Sequence, residues 1–183
     1  MQNKNKLSVF ISLVLRHKPE VIGIEIQENG GWAKTSELIS GVNRVGKYRL
    51  DMPLLEEIVR TDEKQRYSFN EDKTLIRANQ GHSISVYMDF QEKQPPEILW
   101  HGTGKKSVDS IYKDGIRKMN RNYVHLSKDR ETAVKVGARH GEPRIFKISA
   151  GEMYRQGYKF YLSENGIWLI DHVPAEFIEL NFE

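Results

Sequence analysis

Cysteine is missing altogether from the 183 residues, which removes disulfides, thiolate nucleophiles and thiolate metal ligands at once. Long apolar runs are missing too: no stretch approaches the roughly 18 to 20 consecutive residues that span a bilayer. Charge of one sign is scarce. The 28 Lys and Arg against 25 Asp and Glu leave a net charge of +3 and a pI near 9.0, which permits an anionic partner without demanding one. The opening MQNKNKLSVFISLVLRHKPE has the basic start and apolar stretch of a leader. It is amphipathic, lacks a small-residue cleavage site and ends in cations, so it reads as part of the fold, with the cytoplasm as the expected compartment. The six histidines, His17, His82, His101, His125, His140 and His172, show no HExxH or comparable ligand spacing, and no metal is expected.

What is present describes an ordinary globular chain: 38% hydrophobic, 29% charged, mean hydropathy -0.61, and long enough for one domain or two small ones. Leu7, Phe10, Ile11 and Val14 repeat at i, i+3, i+4, i+7, and Pro19 ends the helix they imply. After the turn NGGW at 29–32, Thr35 or Ser36 is positioned to cap a second helix, and Asp51 a third with Pro53 in its first turn. The period then changes. RYSF, the polar turn NEDK and TLIRA read as a hairpin over 66–78. Three short helices and a hairpin are the layout of a winged-helix module, used for nucleic acids and as a protein adaptor alike.

SISVYMDF at 83–90 alternates like a strand, and QEKQPP at 91–96 has linker character, which places a domain boundary there, with lobes 1–92 and 93–183. Beyond it the expected elements are a strand EILWHGT, a helix from about Lys105 to Asp114 closed by Gly115, and a short strand YVHLS. A helix from about Arg130 to Ala138, a strand RIFKISA, a hairpin KFYLSENGIWLI turning at Asn165-Gly166 and a last strand EFIEL complete the chain. Many short strands with short helices point to an α+β domain on a compact split sheet.

Two phosphate or dinucleotide motifs fail on spacing. HGTGKKS at 101–107 lacks the first glycine of a phosphate loop, since position 99 is Leu, and no GxGxxG follows a strand. The remaining candidates are cations at the ends of elements: Arg16, His17 and Lys18, then Arg66, then Arg121. Singly each is as well explained by solvation, or, for Arg16 and His17, by the negative end of a helix dipole. Together they suit a multiply charged anion, which guanidinium groups bind in bidentate fashion. His101 and His125 stand in short strands, on HGT and HLS, with Gly102 permitting close backbone approach.

With these residues assembled, the chain resembles the RNA 2'-phosphotransferase family of the KptA type. The resemblance rests on ISLVLRHKPE, GGWAKTSEL, EKQRYSF, IRANQGHS, LWHGT, MNRNYVHLS, VGARHG, NGIWL and a downstream VP, in order from residue 7 to about 174. It implies an N-terminal winged-helix RNA-binding lobe and a C-terminal lobe with the ADP-ribosyltransferase fold. The implied activity uses NAD as co-substrate: an RNA 2'-phosphate attacks the nicotinamide ribose, and a second transfer frees the RNA 2'-hydroxyl with ADP-ribose 1'',2''-cyclic phosphate. A 2'-phosphate at a tRNA splice junction is the type substrate.

By resemblance the phosphate falls to Arg16, His17, Arg66 and Arg121, with His17 also able to move a proton in the second step. The nicotinamide end falls to His101, Gly102 and Thr103, and the ribose to His125 and Ser127. Lys18 is a solvated neighbour or peripheral RNA contact, and Gln80, His82 and Ser83 either meet RNA or form only a polar turn. The N-terminal group Arg16, His17 and Arg66 is expected to face His101, Arg121 and His125 in a monomeric enzyme. Many protein-modifying ADP-ribosyltransferases carry a Glu on a late strand where RIFKISA offers Ile145 and Ile148, and an already anionic phosphate acceptor needs no such base. The alternatives are an ADP-ribosyltransferase of nucleic-acid phosphates that stops after the first step, and a non-catalytic nucleic-acid-binding protein.

Overall fold

A computed structural model of the chain describes residues 4–181. Its first helix, α1 (Lys4–Arg16), buries Leu7, Ile11, Val14 and Leu15 along one face, as the spacing predicts. The chain then passes a 3-10 turn over Pro19–Val21 and enters β1 (Trp32–Lys34), α2 (Thr35–Val45) and α3 (Met52–Thr61). Asp51 caps α3 by accepting a 2.9 Å hydrogen bond from the Leu54 amide. The expected cap of α2 is absent. Lys34 occupies that position without a side-chain bond; Thr35 is the first helical residue, its amide donating to the Thr74 carbonyl at 2.9 Å and its side chain turned inward, the residue 4% exposed.

The hairpin follows as β2 (Tyr67–Phe69) and β3 (Leu75–Ala78). With β1 it forms an antiparallel sheet in the order β1-β3-β2. Ala33, Ile76 and Phe69 lie in one register row, and Trp32, Arg77 and Ser68 in the next. Alternation sends the first row into a core shared with Leu38, Val42, Leu55 and Ile58, and the second to the opposite face. Segment 83–90 is not the strand its alternation predicts. Val86 and Met88 are buried at period two, yet among the described residues the segment's β-pairing is an isolated bridge between Asn29 and Tyr87. The alternation serves packing against Gly31, whose α-carbon faces the Val86 and Met88 side chains.

The chain divides into two compact units between Asp89 and Phe90, whereas composition placed the change within 91–96. The second unit begins with β4 (Leu99–Gly104), a 3-10 turn, α4 (Val108–Asp114), β5 (Ile116–Arg117), β6 (Val124–Leu126) and α5 (Arg130–Gly137). It continues with β7 (Pro143–Ile148), α6 (Ala150–Arg155), β8 (Tyr161–Leu162), β9 (Trp168–Ile170), β10 (His172–Val173) and β11 (Ile178–Asn181). The pairings are antiparallel in three small sheets, β11-β7-β4, β6-β9-β8 and β10-β5. Helices and separate antiparallel sheets make the fold α+β. Periodicity gives no warning of α6 or of the β5–β10 pair, because six-residue and two-residue elements are too short to complete a period.

A second core gathers Leu99, Phe146, Ile148, Met153, Phe160 and Trp168. α5 packs directly on β4: a methyl group on Gly102 would collide with the Ala133 carbonyl oxygen, and one on Gly104 with that of His140. Among the described residues no helix is long and apolar enough to cross a membrane.

Candidate functional site

In the N-terminal unit, the end of α1 is stitched to loop 79–83. The Ser83 amide donates to the Arg16 carbonyl at 3.0 Å, and Ser83 Oγ lies 2.9 Å from His17 Nδ1. A helix that runs out at Pro19 leaves carbonyls without intrahelical partners, and this loop takes up one of them. Arg16 and His17 are half-buried, Lys18 exposed. Beneath them sits His82, 1% exposed, with neither ring nitrogen hydrogen-bonded to any of the described residues. Burial, and then repulsion from Arg16, His17 and Arg77, hold its pKa down to about 4. His82 is therefore neutral near pH 7 and shielded from solvent, while Ser83 remains exposed and Gln80 half-exposed.

Arg66 enters from the start of the hairpin. Its backbone is pinned twice, its amide donating to Asp62 Oδ2 at 2.6 Å and its carbonyl accepting from the Asn79 amide at 2.8 Å. The preceding Gln65 takes a left-handed φ of 43°, a conformation costly for a residue with a Cβ. The guanidinium pairs with the Asp62 carboxylate, whose side chain is only 7% exposed. The next residue, Tyr67, donates its hydroxyl to the Ser8 carbonyl at 2.6 Å. Burial raises the Tyr67 pKa, and the charges of Arg16, at the end of α1, and of Arg66, just before β2, both oppose that rise. The acidic partner of Arg66 was readable in TDEKQR as an i, i+4 pair; Arg77 and the burial of His82 depend on tertiary contacts that no local pattern announces.

In the C-terminal unit, β4 and β6 are joined by reciprocal backbone bonds between Trp100 and Ser127, 2.8 and 2.7 Å. That junction brings the two strand histidines together. His101 Nδ1 lies 3.1 Å from the His125 carbonyl oxygen; a carbonyl only accepts, so His101 carries its proton on Nδ1 and presents Nε2 as an acceptor. Arg121 Nη1 lies 2.6 Å from His125 Nδ1; a guanidinium only donates, so the His125 proton sits on Nε2. Burial pushes His101 below the usual imidazole range, the His125 carbonyl opposes this, and Arg121 and His140 add repulsion. Burial also lowers Arg121, whose guanidinium stays cationic.

Arg121 is held by a turn in which its amide donates to the Lys118 carbonyl at 3.0 Å, with Met119 at φ 52°. Thr103 shares the His101 face of β4 and is half-buried. Ser127 is 8% exposed and anchors strands through its backbone. Gly102 keeps its bare α-carbon for α5, so close approach there is already taken by protein. Among the described residues no cluster of acidic and histidine side chains could hold a metal ion.

The family model of RNA 2'-phosphotransferases, the Tpt1 / KptA family, matches residues 2–172. The chain belongs to that family. It is 55% identical over 173 residues to a probable RNA 2'-phosphotransferase of Flavobacterium johnsoniae, covering 94% of each chain. It is 53% identical over 180 residues to one of Fusobacterium nucleatum, covering 98% of this chain and 99% of the relative. A third such protein, from Nostoc punctiforme, is 50% identical over 174 residues, 95% of each chain. Family membership supplies an RNA 2'-phosphate to be moved.

Proposed function

We propose that the protein removes an internal 2'-phosphate from RNA by transferring it to NAD. The products are RNA with a free 2'-hydroxyl, nicotinamide and ADP-ribose 1'',2''-cyclic phosphate, reached through an ADP-ribosylated 2'-phospho-RNA. The observation that carries the reading is the family match over residues 2–172, and the relatives' shared name supports the RNA 2'-phosphate as substrate. In this reading the N-terminal unit is a winged-helix RNA-binding lobe, supported by its order of three helices and a hairpin. The C-terminal unit is the NAD-binding lobe of ADP-ribosyltransferase type, and Arg16, His17, Arg66 and Arg121 are the phosphate-handling residues.

The donor set of the C-terminal unit suits NAD. A neutral imidazole that accepts at Nε2 beside one that donates at Nε2 matches ribose hydroxyls or a carboxamide, each of which offers both a donor and an acceptor. NAD supplies an electrophilic ribose carbon with nicotinamide as leaving group. His101 meets the nicotinamide end and His125 orients the ribose, and the Arg121 hydrogen bond locks the His125 tautomer that does so. Arg16 and Arg66 neutralise charge on the phosphate and align it for attack. His17 moves the proton of the ribose hydroxyl that displaces the RNA oxygen, and Ser83 holds its ring through Nδ1.

The test is incubation of the protein with NAD and an oligoribonucleotide bearing one internal 2'-phosphate. Loss of that phosphate only when NAD is present is expected. Its persistence, with NAD intact, rejects the reading.

A further inference from the structure

The functional reading leaves the outward row of the N-terminal sheet unused. Trp32 and Arg77 are register partners on that face, and the Arg77 guanidinium lies over the indole, 4.5 Å from its centroid. The ring edge rests against the turn before β1: a methyl group on Gly30 would stand 2.8 Å from Trp32 Cδ1 and Nε1. Gly30 has φ 83° and Gly31 φ 68°, so glycine is needed at both for this turn to form. Arg77 Nη1 reaches back to the Gly30 carbonyl at 3.5 Å.

The same turn holds a second aromatic ring. Tyr87 donates its amide to the Glu28 carbonyl at 2.7 Å and accepts from the Gly30 amide at 2.8 Å, yet the residue is left 66% exposed. An exposed tyrosine on a backbone fixed at both ends loses little entropy on binding a planar partner. The turn also leads to the cationic cluster. A methyl group on Gly31 would lie 3.1 Å from His82 Nε2, and the neighbouring Ser83 touches His17. Aromatic rings, a stacked arginine and phosphate-seeking cations thus follow one another around Gly30 and Gly31. Bases stack on aromatic rings and guanidinium planes beside a charged track in single-stranded nucleic-acid sites.

We propose that Trp32, held by Arg77, and Tyr87 form a stacking site for the nucleobase adjacent to the 2'-phosphorylated residue of single-stranded RNA. The inference rests on the reading of RNA as substrate and deepens it. Stacking uses the face that every base shares, so the site tolerates any base while requiring one.

The experiment compares two 2'-phosphorylated oligoribonucleotides, one intact and one with abasic residues flanking the phosphorylated position. Each is assayed for kcat/KM and, separately, for equilibrium binding by fluorescence anisotropy. Wild type is expected to prefer the intact RNA on the order of tenfold in both assays. Trp32→Leu and Tyr87→Leu should each shrink that ratio several-fold, and Trp32→Phe should keep most of it. Because Tyr87 is mostly exposed, its variant reports on stacking even if Trp32→Leu fails to fold. A wild-type ratio near one, or an undiminished ratio in Tyr87→Leu, overturns the proposal. Absence of turnover in wild type would instead count against the enzymatic reading, and the binding ratios would still decide the stacking site.

Discussion

Arg16, His17 and Arg77 bear on a buried histidine that has no hydrogen-bond partner among the described residues, whereas Arg121, His125 and His101 are joined by two hydrogen bonds that assign a proton to each ring. The N-terminal group concentrates charge, and the C-terminal group fixes direction. Phosphoryl chemistry needs both. Charge lowers the cost of bringing an anion to an electrophile, and directed hydrogen bonds set the geometry in which the bond forms. The contrast predicts unequal responses to substitution.

Arg121→Ala should have the largest effect, because it removes a cation and releases the His125 tautomer together. We expect turnover to fall roughly 100- to 1,000-fold with a much smaller change in RNA affinity, read by single-turnover release of the 2'-phosphate. A purely phosphate-binding role would reverse that pattern, weakening affinity in a salt-dependent manner. Gly102→Ala tests the scaffold of the same unit, since its new methyl meets the Ala133 backbone. It should cost about 3 kcal/mol in urea denaturation.

His82 offers a test of the charged side by pH. Its folded pKa, about 4, lies below its ordinary value of 6.5, so the folded state binds fewer protons than the unfolded chain between those values. This contribution to stability is complete above pH 6.5 and is lost as pH falls from there towards 4. The loss is on the order of 3 kcal/mol, and His82→Leu should flatten that part of the stability profile. The smallest effect belongs to Asp62→Asn. Arg66 keeps its charge but loses its aim, and kcat/KM should drop about tenfold with the fold retained, as judged by circular dichroism.

The two groups also differed in how much of them could be read from residues alone. Arg16 and His17 announced themselves as cations at a helix end, and Arg66 and Arg121 as cations at the edges of strands. What local pattern could not convey was their company. Asp62 beneath Arg66 stood in plain view four residues away, yet only the fold shows that its carboxyl is nearly buried. His82 looked like part of a polar turn and is instead enclosed, because burial of a loop residue is decided by distant elements. The β4–β6 junction that aligns His101 with His125 is a single backbone bridge, too short to leave a periodic trace. Segment 83–90 misled for a related reason: its alternation records which side chains Gly31 admits, not a hydrogen-bonded ladder.

The central claim is an NAD-dependent transfer of an RNA 2'-phosphate. The most direct measurement is the stoichiometry of nicotinamide released to RNA 2'-phosphate lost, using matched RNAs with a 2'-phosphate or a 2'-hydroxyl. The account predicts one nicotinamide per phosphate removed and none with the 2'-hydroxyl RNA. Phosphate loss without NAD, or nicotinamide release indifferent to the 2'-phosphate, would contradict it.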